Sequence, residues 1–200
     1  MRTSTEPLLH IVDQHVEEAG HLAHMRQFLL NAPAPQLQAL LRHDQRLAAH
    51  IDAIAVAGDA GRLASQRAVA AGAPGALFAG GACAVESTDA IRVERMLSLA
   101  QALPAAHRAL EGAFNWVSAQ WLAGLIRDML ASASPVQRSL ALHACSAHRV
   151  DPGVVLARSL DDVDEGLQRT ALRCAGDLGR MDLRDACTDR ARDPGAPLAL

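Results

Sequence analysis

The chain has 200 residues and a net charge of −3; half of the residues are hydrophobic, only 2% are aromatic, and lysine and tyrosine are both absent. The many alanines and leucines favour helix, and an acidic balance argues against nucleic acid as a partner, because phosphate binding needs a concentrated positive surface. With no apolar run of membrane-spanning length and no apolar core of a signal peptide, we expect a cytoplasmic protein without membrane insertion.

The N-terminal region, residues 1–57, is predicted to be a long antiparallel helical hairpin. Its helices are expected from Pro7 to about Leu30 and from about Gln36 to Val56, after a disordered start at residues 1–6. Gly20 would allow a kink. Spacings of three, four and seven residues predict two buried faces, Leu8, Ile11, His15, Leu22 and Leu29 in the first helix, and Leu37, Leu40, Leu47, Ile51 and Ile54 in the second.

Residues 58–103 are interpreted as degenerate helical repeats. Glycine and proline separate two helices at about 60–71 and 75–86. Ser87-Thr88-Asp89 is predicted to cap a third helix that ends near Ala102.

Residues 104–200 contain copies of one helical hairpin. Val136-Gln137-Arg138-Ser139-Leu140 matches Leu167-Gln168-Arg169-Thr170-Ala171 at an offset of 31 residues, and a divergent copy precedes them at an offset of 30. The copies are assigned to 104–132, 134–162 and 163–192, with the start of another at 193. Repetition of this period indicates a solenoid, in which each hairpin must stack on its neighbour.

Each copy is predicted to hold a helix A followed by a helix B. Ser134 and Asp164 are the predicted N-caps of the A helices, and Asp151 and Asp182 those of the B helices, where Val150 and Met181 would form hydrophobic staples. The predicted core positions of the A helices are Val136, Leu140, His143, Ala144 and Ala147, then Leu167, Ala171, Cys174, Ala175 and Leu178. Those of the B helices are Leu125, Ile126 and Leu130, then Val155, Leu156 and Leu160, then Ala186, Cys187 and Ala191.

The repeats resemble short HEAT-like repeats, in which Asp or Ser, then Pro, then Arg begin helix A. More specifically, the stretches 130–138, 142–153 and 171–180, together with 14–19 and 47–58, resemble an uncharacterised proteobacterial family encoded beside type VI secretion genes. The resemblance implies an all-α fold: an α-solenoid of HEAT-like helical hairpins preceded by the long N-terminal antiparallel hairpin. It implies a protein partner and supplies no catalytic residue.

The outward positions of the B helices are the predicted protein-binding row, because B helices line the concave face of HEAT-like solenoids. Its mixed signs suit a protein partner, although a merely solvated face is equally compatible with them. Trp121 is the candidate anchor, whereas Trp116 is predicted to be core. The predicted binding residues are Trp121, Arg127, Asp128, Arg158, Asp161, Asp185, Asp189 and Arg192.

Histidines and cysteines are interpreted as structural. His21 and His24 share a helical face with Glu17 and Glu18, but the spacing fits no zinc pattern. His143 is predicted to be buried, and His148 to lie at a helix end. The four cysteines are predicted to be mainly buried thiols, so we expect folding to need no metal, cofactor or disulfide.

The function predicted from the sequence is a non-enzymatic scaffold, an adaptor or accessory chaperone for a type VI secretion effector or spike component. An immunity protein that masks a toxin is the main alternative, and an enzyme on a HEAT-like scaffold is a third. The A helix that Asp193 and Pro194 would begin has little chain to build with, so the last hairpin is expected to leave an apolar edge. Further repeats or end-to-end self-association would cover that edge.

Overall fold

The computed structural model describes residues 8–34, 36–73 and 75–192, and this part of the chain is all-α, without a strand. Its eleven α-helices follow the predicted order, and a 3₁₀ turn at Met181–Leu183 precedes the last. The helices are α1 Leu9–Leu30, α2 Leu37–Val56, α3 Asp59–Ala70, α4 Ala76–Glu86, α5 Ala90–Ala102, α6 Pro104–Trp116, α7 Ala119–Leu130, α8 Pro135–Ala147, α9 Val154–Ser159, α10 Glu165–Asp177 and α11 Arg184–Arg192.

The chain divides into two compact units, Met1–Met96 (unit 1) and Leu97–Leu200 (unit 2), and the division falls within α5. The partition into 1–57, 58–103 and 104–200 stays a prediction. The expectations for residues 1–7 and for the repeat beginning at Asp193 lie outside the described residues.

Unit 1 is built on the α1–α2 hairpin, which confirms the predicted N-terminal hairpin. Arg26 donates to both carboxylate oxygens of Asp44, at 2.9 and 3.1 Å. The Nε2 of His43 contacts the carbonyl oxygen of Leu22 at 2.8 Å. Helices α3 and α4 pack against both members of the hairpin.

The predicted buried face of α1 is largely wrong. Leu8 and Ile11 are exposed, at 65% and 39% of their surface, and of the five predicted positions only Leu22 is fully buried. The buried face instead consists of Val12, Val16, Ala19, Gly20, Leu22 and Ala23. A hydrophobicity pattern gives alanine and glycine little weight, whereas close packing favours them because they let helix axes approach. In α2, Leu47, Ile51 and Ile54 are buried as predicted, but Leu37 is 77% exposed.

Close packing of helices also explains why residue 20 is a glycine, a position at which the sequence would allow a kink. Helix α1 is continuous through this residue. A Cβ atom built on Gly75, the N-cap of α4, would lie 2.0 Å from the carbonyl oxygen of Gly20. The backbone of Gly75 has φ +72°, which an L side chain rarely adopts. The two glycines therefore allow α4 to begin directly against α1.

Unit 2 contains two A helices with the same N-terminal capping arrangement. The Oγ of Ser134 accepts from Gln137 N, and the Oδ1 of Asp164 accepts from Leu167 N at 2.8 Å. These bonds confirm both predicted N-caps. Two residues before each N-cap, a second side chain accepts from the amide of the cap residue: Ser132 Oγ accepts from Ser134 N, and Asp162 Oδ1 accepts from Asp164 N.

The two A helices also end alike. Arg149 has φ +57° and Gly179 φ +65°. The following amides, Val150 N and Arg180 N, donate to the carbonyls of Cys145 and Ala175 at 2.9 and 3.0 Å. Each end is thus a Schellman motif, in which a left-handed residue after the cap lets the chain turn back.

These structural markers correct the predicted repeat offsets. Helices α8 and α10, and every cap atom above, correspond at 30 residues, where the sequence match had predicted 31. Helices α6 and α8 begin with Pro104 and Pro135 and correspond at 31, where 30 had been predicted. The physical reason is that helix starts and ends are set by cap chemistry, whereas the predicted offsets rested on matches between residue types inside the helices.

Side chains join successive helices of unit 2, which pack mainly on their neighbours in sequence. Ser139 Oγ and Thr170 Oγ1 are 2.8 Å apart, and Arg138 donates to Asp162 at 2.7 Å. Arg180 bridges Asp151, in the turn before α9, and Asp182, in the 3₁₀ turn before α11, at 2.6 and 2.8 Å. An apolar core contributed by α8, the α9 segment and α10 consists of Leu142, Leu156, Leu160, Leu167, Ala171, Cys174 and Ala175.

The second and third B helices, α9 and α11, begin later than predicted. Asp151 and Asp182 are not their N-caps: α9 begins after Gly153, whose amide donates to Asp151 Oδ1, and Asp182 lies inside the 3₁₀ turn. Val150 and Met181 are 50% and 71% exposed, which argues against a hydrophobic staple at either position. Buried Met129 replaces the half-buried Leu125, Ile126 and Leu130 as the main core residue of α7 beside Leu122. In α11, Ala186 and Ala191 are exposed and Cys187 is half-buried.

Candidate protein-binding groove

An apolar groove of ≈ 290 Å³ opens on unit 2 between α7 and the C-terminal end of α8. Its floor contains Leu122, Ala144 and Cys145, which are all buried. Exposed Ala123 and half-buried Ile126 form part of its wall. The complete lining is Ala119, Leu122, Ala123, Ile126, Arg127, Leu130, Ala144, Cys145, His148, Val150, Asp151 and Pro152.

The end of α8 shapes one side of this groove. The Schellman motif at His148 and Arg149 turns the chain so that Val150, 50% exposed, borders the opening. The Nε2 of His148 donates to the carbonyl of Phe114 at 2.7 Å, in the last turn of α6. His148 therefore lies at a helix end, as predicted, but it bonds the neighbouring helix rather than its own carbonyls.

The predicted binding row is exposed along its whole length, including Trp121 at 45%. Arg127 lines the groove, and Asp161 forms an ion pair with Arg190 at 2.6 Å. Within the described residues, the side chains of the other members make no hydrogen bond or ion pair. These members are Asp128, Arg158, Asp185, Asp189 and Arg192. Trp116, predicted to be core, is half-buried. A role in binding stays a prediction for the whole row.

A polar cluster lies on the other side of unit 2, in a pocket of ≈ 320 Å³ lined by α6, α8 and α10. Glu111 Oε1 is 3.3 Å from His107 Nε2 and 3.9 Å from His143 Nδ1. Burial alone would raise the pKa of Glu111, but the His107 hydrogen bond and the charges of His143, His107 and Arg173 lower it overall. The cluster thus holds a charged carboxylate between two A helices.

His143 is half-buried rather than buried, with its side chain 24% exposed. Asn115 Nδ2 is 3.0 Å from His143 Nε2. Burial, the largest cause, lowers the pKa of His143 from its ordinary value, which favours the neutral imidazole.

The histidines of α1 and α2 serve mainly in hairpin packing or face solvent. His15 Nδ1 is 3.0 Å from His50 Nδ1, whereas His21 and His24 are exposed. No three His, Cys, Asp or Glu side chains converge as a metal-binding group within residues 8–34, 36–73 and 75–192. None of the helices described there is long and apolar enough to cross a membrane.

Comparison with known proteins adds no relative: no protein-family model, curated protein or solved structure matches this chain. The architecture therefore rests on the structure itself, an all-helical protein of eleven described helices.

Sequence reasoning missed the groove and the Glu111 cluster. The groove forms where α7 meets the end of α8, and that end turns at Arg149, a residue type that does not signal a left-handed conformation. The Ser132-x-Ser134 and Asp162-x-Asp164 pairs were the available signal for the cap register. Glu111 lies 32 residues from His143 in sequence, and no local spacing connects them.

Proposed function

We propose that this protein is a HEAT-like α-solenoid that binds another protein, and that it does so without catalysing a reaction. The observation that carries the proposal is the apolar groove of unit 2, whose wall presents exposed Ala123 and half-buried Ile126 and Leu130. Apolar surface gathered in an open groove marks an interaction site more often than a random exposed residue does.

The chemistry around the groove favours a peptide segment over a small molecule or a polyanion. Arg127 at the rim is followed by Asp128, and Asp151 lies across the groove, so both signs of charge surround an apolar centre. An amphipathic helix from a partner would place its apolar side chains in such a groove and its polar ones at the rim. Charge pairs at the rim would then contribute more to specificity than to affinity.

The packing of the helices of unit 2 mostly on their neighbours in sequence supports the solenoid part of the proposal. Equivalent caps at Ser134 and Asp164, and the bridge from Arg180 to Asp151 and Asp182, are compatible with a series of stacked units. The family resemblance then proposes the partner: an effector, adaptor or spike component of a type VI secretion system, met in the cytoplasm. The adaptor or accessory-chaperone role is the first proposal, and the immunity role the second.

A steric block of the groove tests the site. Ala123→Arg places a long charged side chain on its exposed wall, and we expect affinity for the purified secretion partner to fall by about tenfold or more, a loss of about 1.4 kcal/mol. Gln120→Arg adds the same side chain to an exposed position of α7 outside the groove and should leave affinity within about twofold. Equal effects of the two variants by calorimetry would contradict the groove as the binding site.

The predicted row needs its own variant. Reversing the charge at both Arg127 and Arg158 should weaken binding without lowering the melting temperature, since both side chains are exposed and unpaired within the described chain. Unchanged affinity would mean that the row is a solvated face.

Two cellular measurements separate the roles. Deletion of an adaptor gene abolishes secretion of the cognate effector but leaves cells resistant to it. Deletion of an immunity gene leaves secretion intact and makes cells sensitive. If none of the secretion proteins encoded beside the gene binds the purified chain, the type VI proposal is wrong even if the groove binds another protein.

A further inference from the structure

Arg92 is a charged side chain inside unit 1, with only 6% of its surface exposed. Its Nη2 donates to the carbonyl of Gly80 at 3.3 Å, and its Nε has no hydrogen-bond partner among the described residues. It forms no ion pair with any carboxylate described there. A guanidinium carries five N–H donors, and burying a charge without a counterion is costly. The side chain therefore lacks the anion that its burial calls for.

Arg92 lines a cleft of ≈ 520 Å³ formed by the end of α2, the start of α3, the end of α4 and the start of α5. This volume lies within the range of small-molecule sites, about 300–1,000 Å³. Gly58, the N-cap of α3, also lines the cleft. Since glycine has no side chain, the first backbone amides of α3 have no capping side chain. Ile54 and Ala55 provide an apolar wall.

Most other charges of the cleft are already engaged. Arg62 donates to Asp59 at 3.1 Å, and Asp89 Oδ1 accepts from the Arg92 amide at 3.1 Å as the cap of α5. Glu86 is the exception, since it makes no hydrogen bond or ion pair within the described chain. Burial, and then the charge of Asp52, raise the pKa of Glu86, as expected for a carboxylate without a cationic partner.

Among the described residues, Arg92 and Glu86 form no ion pair with each other, and the Arg92 side chain donates only to the Gly80 carbonyl. The cleft thus presents one unpaired cation and one unpaired anion. A phosphate would satisfy Arg92 but would face the carboxylates of Glu86, Asp59 and Asp89. A single carboxylate attached to a positive group would satisfy both unpaired charges.

We propose that this cleft binds a free amino acid, with its carboxylate on Arg92, its ammonium group at Glu86 and an aliphatic side chain against Ile54 and Ala55. Arg92 then receives the charge-assisted hydrogen bonds that it lacks. The site is separate from the groove of unit 2, so it can fail or succeed independently of the proposed protein binding.

Calorimetry on the full chain with L-leucine and two matched analogues tests the inference. 4-Methylpentanoate lacks only the ammonium group, and 3-methylbutylamine lacks only the carboxylate. We expect L-leucine to bind, and each analogue to bind about tenfold more weakly or worse, because each leaves one charge of the cleft unpaired. The other standard amino acids and inorganic phosphate complete the series.

Variants assign the contacts. Glu86→Gln should weaken L-leucine to the level of 4-methylpentanoate, and Arg92→Gln should abolish binding. Arg95→Gln changes an exposed arginine of the same helix and should bind like the wild type. Since Arg92→Gln can fail to fold, the Glu86→Gln result decides alone in that case. Absence of binding by every amino acid, equal binding of phosphate, or a Glu86→Gln variant that binds L-leucine as the wild type does would each overturn the proposal.

Discussion

Protonation of His143, on α8, should make the stability of unit 2 depend on pH, because its imidazole contacts α6. Its Nε2 is hydrogen-bonded to the side-chain amide of Asn115 on α6, and its Nδ1 lies 3.9 Å from Glu111 Oε1, also on α6. In the unfolded chain this imidazole takes up a proton near its ordinary pKa of 6.5, whereas burial, the largest cause, holds the folded pKa lower. Below pH 6.5 the unfolded state therefore binds more protons than the folded state.

Stability should consequently fall as the pH is lowered from 7.5 to 5.5. The slope from one such group is at most about 1.4 kcal/mol per pH unit. Glu111 acts in the same direction at lower pH, because its lowered pKa contributes stability above 4.5 that is lost on further acidification. His143→Gln has no proton to take up, so its urea midpoint should fall less than that of the wild type over the same interval. Parallel pH dependence of the two proteins would show that His143 is not responsible.

Helix ends explain which parts of the fold were predictable. The helices α1 to α5 lie within about two residues of their predicted bounds, because proline, glycine and capping residues mark their ends. The burial of α1 was not predictable in this way, since alanine and glycine form its contact face. The start of α9 was also missed, because Asp151 bonds the Gly153 amide in the preceding turn instead of capping the helix.

The capping bond of Asp164 is the sharpest of these signals to test. Its Oδ1 accepts from Leu167 N at 2.8 Å, and a carboxylate also interacts favourably with the positive end of α10. Asp164→Ala should lower the free energy of unfolding by about 1 kcal/mol. Asp164→Asn should lower the free energy of unfolding by less, because the amide oxygen of asparagine can still accept the capping bond. Ser118→Ala is the control, because Ser118 occupies the N-cap of α7 without a side-chain capping bond. Chemical denaturation that gives equal losses for Asp164→Ala and Ser118→Ala would contradict the role of the bond.

The candidate site was predictable only as a surface. Repeat logic placed the charged positions of α7, α9 and α11 outward, and the structure exposes them. The groove depends on the turn at Arg149 and on the packing of α7 against α8, which are tertiary features. The Arg92 cleft was equally hidden, since an arginine at the start of a helix predicts solvent exposure and gives no sign of burial against α4.

The reactivity of the four cysteines measures how tightly each unit is packed, since Cys83 lies in unit 1 and the other three lie in unit 2. None is disulfide-bonded; Cys83, Cys145 and Cys174 are buried, and Cys187 is half-buried in α11. Burial, the first cause in each case, raises the pKa of Cys83 and Cys145 to about 11 and that of Cys174 to about 12. The thiolate is the reactive form, so all three should react slowly in the folded protein.

Cys187 is more accessible to solvent than the other three cysteines. Burial raises the pKa of its thiol too, but its side chain is only half-buried. Ellman's reagent at pH 8 should therefore label one thiol quickly and three slowly, and Cys187→Ser should remove the fast phase. In denaturant all four should react at one rate. A second fast-reacting thiol in the native protein would mean that the core around Cys83, or the core around Cys145 and Cys174, opens to the reagent. Replacing each of these cysteines by serine in turn would show which thiol reacts quickly and therefore which unit opens.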